Sequence, residues 1–398
     1  MNTSFAVEID DLLAESLEDA IERERTEFDR LTAGSRDLVL FGAGNMGRTV
    51  ARTLQTAGIR PIAFADNNAK LWGESSDGIP VLSPSDAAMR YGSSAMFLIT
   101  VWGAGSRDRM AARACQLRSL GCRRVITFPF LFWKYPTLFL PYHVVDQPRK
   151  VLQDAPDVRA VYDLWADEYS RREYTAQLQW RLRADFDSMA DPVPQTVYFP
   201  DDVFSLTRRE VFVDCGAFDG DTVRSFLEVT GSRFNRIIAF EPDPANYTRL
   251  RQSVAALPSE IARHIMTYQQ ATGGIRARVA FEALGTEGSA IGMGGAETQR
   301  VTEVDCVTLD EVLEDTVPTH IKMDVEGAEL DALAGARGVI ARHAPVLAIC
   351  SYHRQADLWR IPALIHSIRP DYRFFLRPHR IEGWDLVCYA VPPQRTTI

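Results

Sequence analysis

The stretch Val211–Glu228, VFVDCGAFDGDTVRSFLE, decides the fold. An apolar run breaks into a turn punctuated by Gly216 and Gly220 and continues as the amphipathic start of a helix, the strand–turn–helix pattern that lets backbone approach a ligand closely. The turn also carries Asp214, Asp219 and Asp221. A pyrophosphate held by bare N–H groups at a helix N-terminus is repelled by such acids, whereas a cation is attracted.

S-adenosylmethionine meets that requirement, since it has no phosphate and carries both a sulfonium and an ammonium. Glu241 follows Gly220 by 21 residues at the end of the next apolar run, placed to accept both ribose hydroxyls. The same residues also serve a plain tight turn, with Asp221 and Thr222 capping the helix.

Working outward, a second alternating series surrounds this stretch: EVFVDC, RIIAFEP, ARVAFEALG, TEVDCVTLD, THIKMDVEG, PVLAICSYH, YRFFLRP and DLVCYAVP. Short apolar runs separated by helical stretches predict a doubly wound parallel sheet. An earlier series (LVLFG, PIAFAD, MFLITVW, RRVITF) predicts a second, smaller Rossmann-like α/β domain. The expected organisation is an acidic N-terminal helix at 1–34, the smaller domain at 35–133, a helical and aromatic connector at 134–200, and the larger domain at 201–398. The two glycine loops resemble each other as sites only, not as a repeat.

VDCGAFDGDT, AFEPDPANY, ALGTEGS and above all IKMDVEGAELDALAGA resemble the FkbM family of S-adenosylmethionine-dependent methyltransferases, from about Tyr198 to Pro392. The resemblance implies a class I methyltransferase fold, a seven-stranded sheet with one antiparallel strand near the end, for which YRFFLRP and DLVCYAVP are the last two strands. It also implies methylation of hydroxyls on sugars or secondary metabolites. Phe218 stands where many class I methyltransferases have glycine. By position, Asp214 holds the methionine end, Gly216 and Ala217 line it, and Glu241 binds ribose. Gly220, Asp221, Thr222 and Pro242 complete the loop set. Asp243 and Asn246 touch cofactor or cap the next helix, and Ala283 and Leu284 lie where adenine is expected, after the third strand.

Asp324 and Glu326 end THIKMD at the carboxyl edge of the sheet, where open α/β sheets bind ligands. They can orient an acceptor hydroxyl, take its proton or hold a divalent ion. Two carboxylates are too few to specify a metal, so none is expected. Tyr352 and His353 reach the same edge after PVLAICS. His353 is the candidate general base, because imidazole titrates near neutral pH; a structural histidine is the alternative.

VLFGAGNMGRTVARTL, from Val39, matches GxGxxG at Gly42, Gly44 and Gly47, with Asp66 24 residues after Gly42. This loop has no acid and is followed by Arg48, so it suits phosphate. A nucleotide or sugar nucleotide is the ligand class expected there, and an NAD(P)-dependent oxidoreductase or nucleotide-sensing module is the alternative function. No Lys/Tyr or Cys/His redox set accompanies it.

Composition excludes several classes. A net charge of −9 argues against general nucleic-acid binding. The most apolar run, VITFPFLFWKYPTLFLPY from Val125, is broken by Pro129, Lys134, Pro136 and Pro141, so it reads as an aromatic packing or interface segment, compatible with a homo-oligomer, and no membrane span is expected. The six cysteines form no CxxC pair and read as reduced core thiols, and with no signal-like N-terminus the expected location is cytoplasmic.

Overall fold

A computed structural model describes residues 9–32, 35, 37–103, 105, 107–282, 290–291 and 301–397. The chain divides into two compact units. One comprises Met1–Ala155, Thr175–Asp191 and Arg380–Trp384; the other comprises Pro156–Tyr174, Pro192–His379 and Asp385–Ile398. Residues 134–200, read above as one connector, are thus shared between the units. No helix among the described residues is long and apolar enough to cross a membrane.

The first unit is built on six strands: β1 (Leu38–Phe41), β2 (Ala63–Ala65), β3 (Ser75–Ser76), β4 (Ile79–Leu82), β5 (Met96–Ile99) and β6 (Arg124–Thr127). Their order is β3-β4-β2-β1-β5-β6, parallel except for the β3–β4 pair. LVLF of β1 and MFLI of β5 are buried at every position, as expected of central parallel strands covered on both faces. Helix Asn45–Thr56 follows β1 and buries Gly47, Val50, Ala51 and Leu54, a helical-period stripe that packs it onto the sheet.

The second unit holds β7 (Val211–Cys215), β8 (Arg236–Phe240), β9 (Ile265–Tyr268), β10 (Ala271–Thr272), β11 (Ala277–Glu282), β12 (Ala290–Ile291), β13 (Val301–Val307), β14 (His320–Met323), β15 (Val346–Cys350), β16 (Arg373–Pro378) and β17 (Leu386–Val391). Its main sheet has seven strands in the order β16-β17-β15-β14-β7-β8-β9, and β17 runs antiparallel to both its neighbours. This is the sheet expected of a class I methyltransferase, with YRFFLRP and DLVCYAVP as its last two strands.

Two of the eight runs read for this sheet belong elsewhere. ARVAFE and TEVDCV are β11 and β13 of a separate four-stranded sheet, order β10-β13-β11-β12, and the third strand of the main sheet is β9. The cause is visible in β11: Val279 and Phe281 pack against Ala271, Val304 and Cys306, while Arg278 lies exposed, 3.5 Å from both Glu303 and Asp305. Alternation of this kind belongs to an antiparallel sheet with one wet face, not to a strand buried on both sides. The adenine position inferred from a strand at ARVAFE therefore loses its basis, and Ala283 and Leu284 lie outside the described residues.

Candidate active site

The turn after β7 requires its glycines for separate reasons. Gly216 has φ +82°, and a Cβ there would lie 1.8 Å from the carbonyl oxygen of Asp324, so only glycine lets β7 and the end of β14 close on each other. Gly220, φ +89°, is the N-cap of helix Asp221–Thr230 and offers no side-chain cap. Phe218 also adopts a positive φ, 46°. Gly216 and Ala217 donate their N–H groups to the carbonyl of Phe240 at 3.0 and 2.9 Å, which fixes the turn to the end of β8.

A count of acids overstates the charge of this turn. Asp219 pairs with Arg224 at 2.7 Å. Asp221 accepts the N–H of Thr222 at 2.7 Å. Asp214 is fully buried and lies 3.0 Å from Nζ of Lys322, which donates to the carbonyl of Gly216 at 2.6 Å. Burial pushes the Asp214 carboxyl up to about 6 even though Lys322 opposes the shift. Among the described residues its Oδ2 has no hydrogen-bond donor. Lys322 was missed by sequence reasoning, although it lies on β14 two residues before Asp324, the spacing that brings extended residues to one face.

Glu241 ties the turn down. One carboxylate oxygen accepts the N–H of Phe218 at 2.8 Å and the other that of Asp243 at 2.9 Å. Burial raises its pKa to about 7 against those two hydrogen bonds. Asp243, in turn, caps helix Pro244–Ala255, accepting from the N–H groups of Ala245 (2.8 Å) and Asn246 (3.0 Å). Capping is therefore a function these positions perform before any ligand arrives.

A polar cluster occupies the carboxyl ends of β14 and β15. Tyr198 OH donates to Asp324 Oδ2 at 2.8 Å, and Tyr352 OH lies 3.4 Å from Asp324 Oδ1. His353 is buried, its Nδ1 2.8 Å from Glu329 Oε1 and its Nε2 3.4 Å from Asp324 Oδ1 and 3.6 Å from Glu326 Oε2. Burial disfavours the imidazolium, but Glu329 and Glu326 outweigh it and hold the His353 pKa well above 6.5. Burial also raises Asp324, yet Lys322 and His353 keep it below the usual carboxylate range; burial lifts Glu326 to about 7.

Asp324, Glu326 and His353 are thus brought together as the sequence suggested. Tyr198 and Glu329 join them unannounced. Tyr198 adopts φ +67°, its ring 5.3 Å from Nζ of Lys322, so one buried cation bridges the turn and the cluster. Backbone strain of this kind collects where a side chain is held in one functional orientation.

The loop of the first unit is built on the same plan. Asp66 accepts the N–H of Ala43 on Oδ2 (2.6 Å) and that of Asn68 on Oδ1 (2.7 Å), as Glu241 does for Phe218 and Asp243. Arg48 Nε donates to the carbonyl of Ala43 at 2.7 Å. A Cβ on Gly47 would lie 1.9 Å from the carbonyl oxygen of Gly42, whereas one on Gly44 would meet nothing within 4 Å. Gly44 is the N-cap of its helix and offers no side-chain hydrogen bond, which leaves the N–H groups at that end open to an anion.

Comparison with known proteins follows this geometry. Residues 214–374 match the family model of the methyltransferase FkbM domain. The crystal structure of methyltransferase FkbM from Methylobacillus flagellatus KT is similar over 98% of this chain and 98% of its own, with 26% identity and a TM-score of 0.76. UDP-D-quinovosamine 4-dehydrogenase from Vibrio fischeri matches over 23% of this chain and 75% of its own (21% identity, TM-score 0.19). RSP, a Rex-family repressor, matches over 26% and 49% (19% identity, TM-score 0.21). At those TM-scores neither supports an inference. No curated protein matches the chain by sequence. With the turn, the seven-stranded sheet and the cluster in hand, residues 214–374 are a methyltransferase domain of the FkbM type.

Proposed function

We propose that the second unit is an S-adenosylmethionine-dependent O-methyltransferase acting on a hydroxyl of a sugar, a sugar nucleotide or a secondary metabolite. The observation that carries this reading is adjacency: Gly216 of the cofactor-type turn is packed against the backbone of Asp324, so turn and polar cluster share one edge of the sheet. The donor set fits the cofactor. Asp214 keeps a buried oxygen without a donor, suited to an ammonium. Glu241 uses one lone pair per oxygen on loop N–H groups, which leaves the others for two hydroxyls. Asp214, Gly216, Ala217, Glu241 and Pro242 would hold the cofactor, which when bound supplies a methyl group already activated on sulfur.

The chain's own task is placement. Tyr198 and Tyr352 fix the Asp324 carboxylate, which orients the acceptor hydroxyl. Holding two reactants in line can contribute about 7 to 11 kcal/mol, so a strong base is not required. Calorimetry with S-adenosylmethionine, followed by transfer of labelled methyl to a panel of glycosides, tests the assignment. Absence of binding would overturn it.

The pH dependence of that binding has a definite sign. The ribose contact needs Glu241 as carboxylate, and the free protein holds its pKa near 7. Affinity should be level above pH 7 and fall below it, by up to about tenfold per pH unit for one proton taken up. Glu241→Gln should remove this dependence and weaken binding by roughly 10- to 150-fold, the equivalent of about 1.5 to 3 kcal/mol for one charged hydrogen-bonding group. Titrations of both proteins from pH 5.5 to 8.5 check this, and a pH-independent wild-type affinity would remove Glu241 from the ribose contact.

For the first unit we propose a nucleotide or sugar-nucleotide site at Gly42, Gly44 and Gly47, without hydride transfer. Gly44→Asp is a clean probe, since its φ of −79° suits any residue and the added side chain has open space. It should abolish binding of NAD or UDP-sugars by setting a carboxylate against phosphate, and leave S-adenosylmethionine affinity within about twofold. Failure of every nucleotide to bind wild-type protein would leave this unit as a scaffold; reduction of NAD that the substitution removes would make it an oxidoreductase.

A further inference from the structure

We propose that the methyltransferase domain binds one small divalent cation at its acceptor side, on His353 Nε2 and Asp324 Oδ1, with Glu326 as a flanking ligand and Glu329 as the residue that aims the histidine. This departs from the expectation of no metal. It deepens the transferase reading, on which any role in activation rests; occupancy of the site does not depend on that reading.

The case starts from Glu329, which is fully buried. Its Oε1 accepts the backbone N–H of Val325 at 2.9 Å and meets Nδ1 of His353 at 2.8 Å. With Nδ1–H donated there, the neutral ring carries its free lone pair on Nε2, the arrangement in which a carboxylate orients a metal-binding histidine. His353 is 7% exposed, and among the described residues its Nε2 has no hydrogen-bond partner; Oε2 of Glu329 is likewise buried and without one among them.

The atoms facing Nε2 are oxygens at distances that suit a shared ion. Asp324 Oδ1 at 3.4 Å and Glu326 Oε2 at 3.6 Å are too far for good hydrogen bonds. They match the span between two ligands that each sit about 2.1 to 2.2 Å from one ion. Donor atoms of Asp324, Glu329 and His353 all lie within 4.8 Å of one another. Tyr198 holds the other oxygen of Asp324, so the carboxylate is already oriented.

One imidazole and two carboxylates suit Mn2+, Mg2+ or Zn2+ and provide too few oxygens for Ca2+. The remaining positions would be filled by oxygen ligands, either water or the hydroxyl of an acceptor. A vicinal diol is an acceptor chemistry that could supply two of them.

The test uses the full chain stripped with EDTA and titrated with MnCl2, with free Mn2+ read by electron paramagnetic resonance. One Mn2+ per chain is expected, with pulsed spectra showing coupling to an imidazole nitrogen, a readout that needs no variant and no activity. Glu329→Gln should weaken Mn2+ binding about 10- to 100-fold. Glu241→Gln should leave Mn2+ binding unchanged. Failure to bind Mn2+ at one per chain, or binding without nitrogen coupling, overturns the site. Calorimetry with S-adenosylmethionine on the same stripped protein separates this failure from failure of the transferase reading.

Discussion

Gly216→Ala should lower the unfolding free energy by about 3 to 5 kcal/mol, the range of substitutions that force backbone apart in a packed core. The new methyl would lie 1.8 Å from the carbonyl oxygen of Asp324, and a backbone atom cannot move aside as a flexible side chain can. The φ of +82° adds a further cost of about 1 kcal/mol for a residue with a Cβ. Relief requires β7 and β14 to separate just where they pair Cys215 with Met323. For a unit of this size a drop of about 10 °C in Tm is the expected signature. A loss below about 1 kcal/mol in denaturant titration would show that the strands part there freely.

Asp324→Asn should reduce methyl transfer by about 100-fold, the cost of a reacting group displaced by about 1 Å. The substitution preserves shape, but its amide offers one acceptor in place of the two oxygens that Tyr198 and Tyr352 approach, and it removes a charge facing His353. Affinity for S-adenosylmethionine should change less than about threefold, because the proposed ribose and ammonium contacts are those of Glu241 and Asp214. Single-turnover rates with saturating cofactor distinguish the outcomes. Loss of cofactor affinity with an unchanged rate would move Asp324 out of the acceptor side.

Local pattern made part of this legible. The strand–turn–helix at Val211–Glu228 and the two acids Asp324 and Glu326 could be read because each feature lies within a few residues of chain. Four things could not. The strand Ile265–Tyr268 is short, and Met266 lies exposed at the sheet's edge, so no buried run announces it. Lys322 looks like a polar interruption until its partner Asp214 is brought beside it from another strand. Tyr198 sits in a proline-rich stretch with no period at all, and its role depends on a positive φ that aims its hydroxyl at Asp324. The raised pKa of His353 was equally hidden, since it depends on three carboxylates gathered from a loop and a helix start.

Lys322 has a consequence for the order in which the domain assembles. The turn, its helix and β8 are contiguous, so the contacts of Glu241 to the turn span only 23 residues and can form while the chain is still open. The contact of Lys322 with Gly216 spans 106. Closing a loop of that length carries a larger entropy penalty than closing the local one, and pairings between distant segments slow folding. The turn's local contacts should therefore form before β14 enters the sheet between β7 and β15, and the half of the centre that would receive an acceptor is completed only by that step.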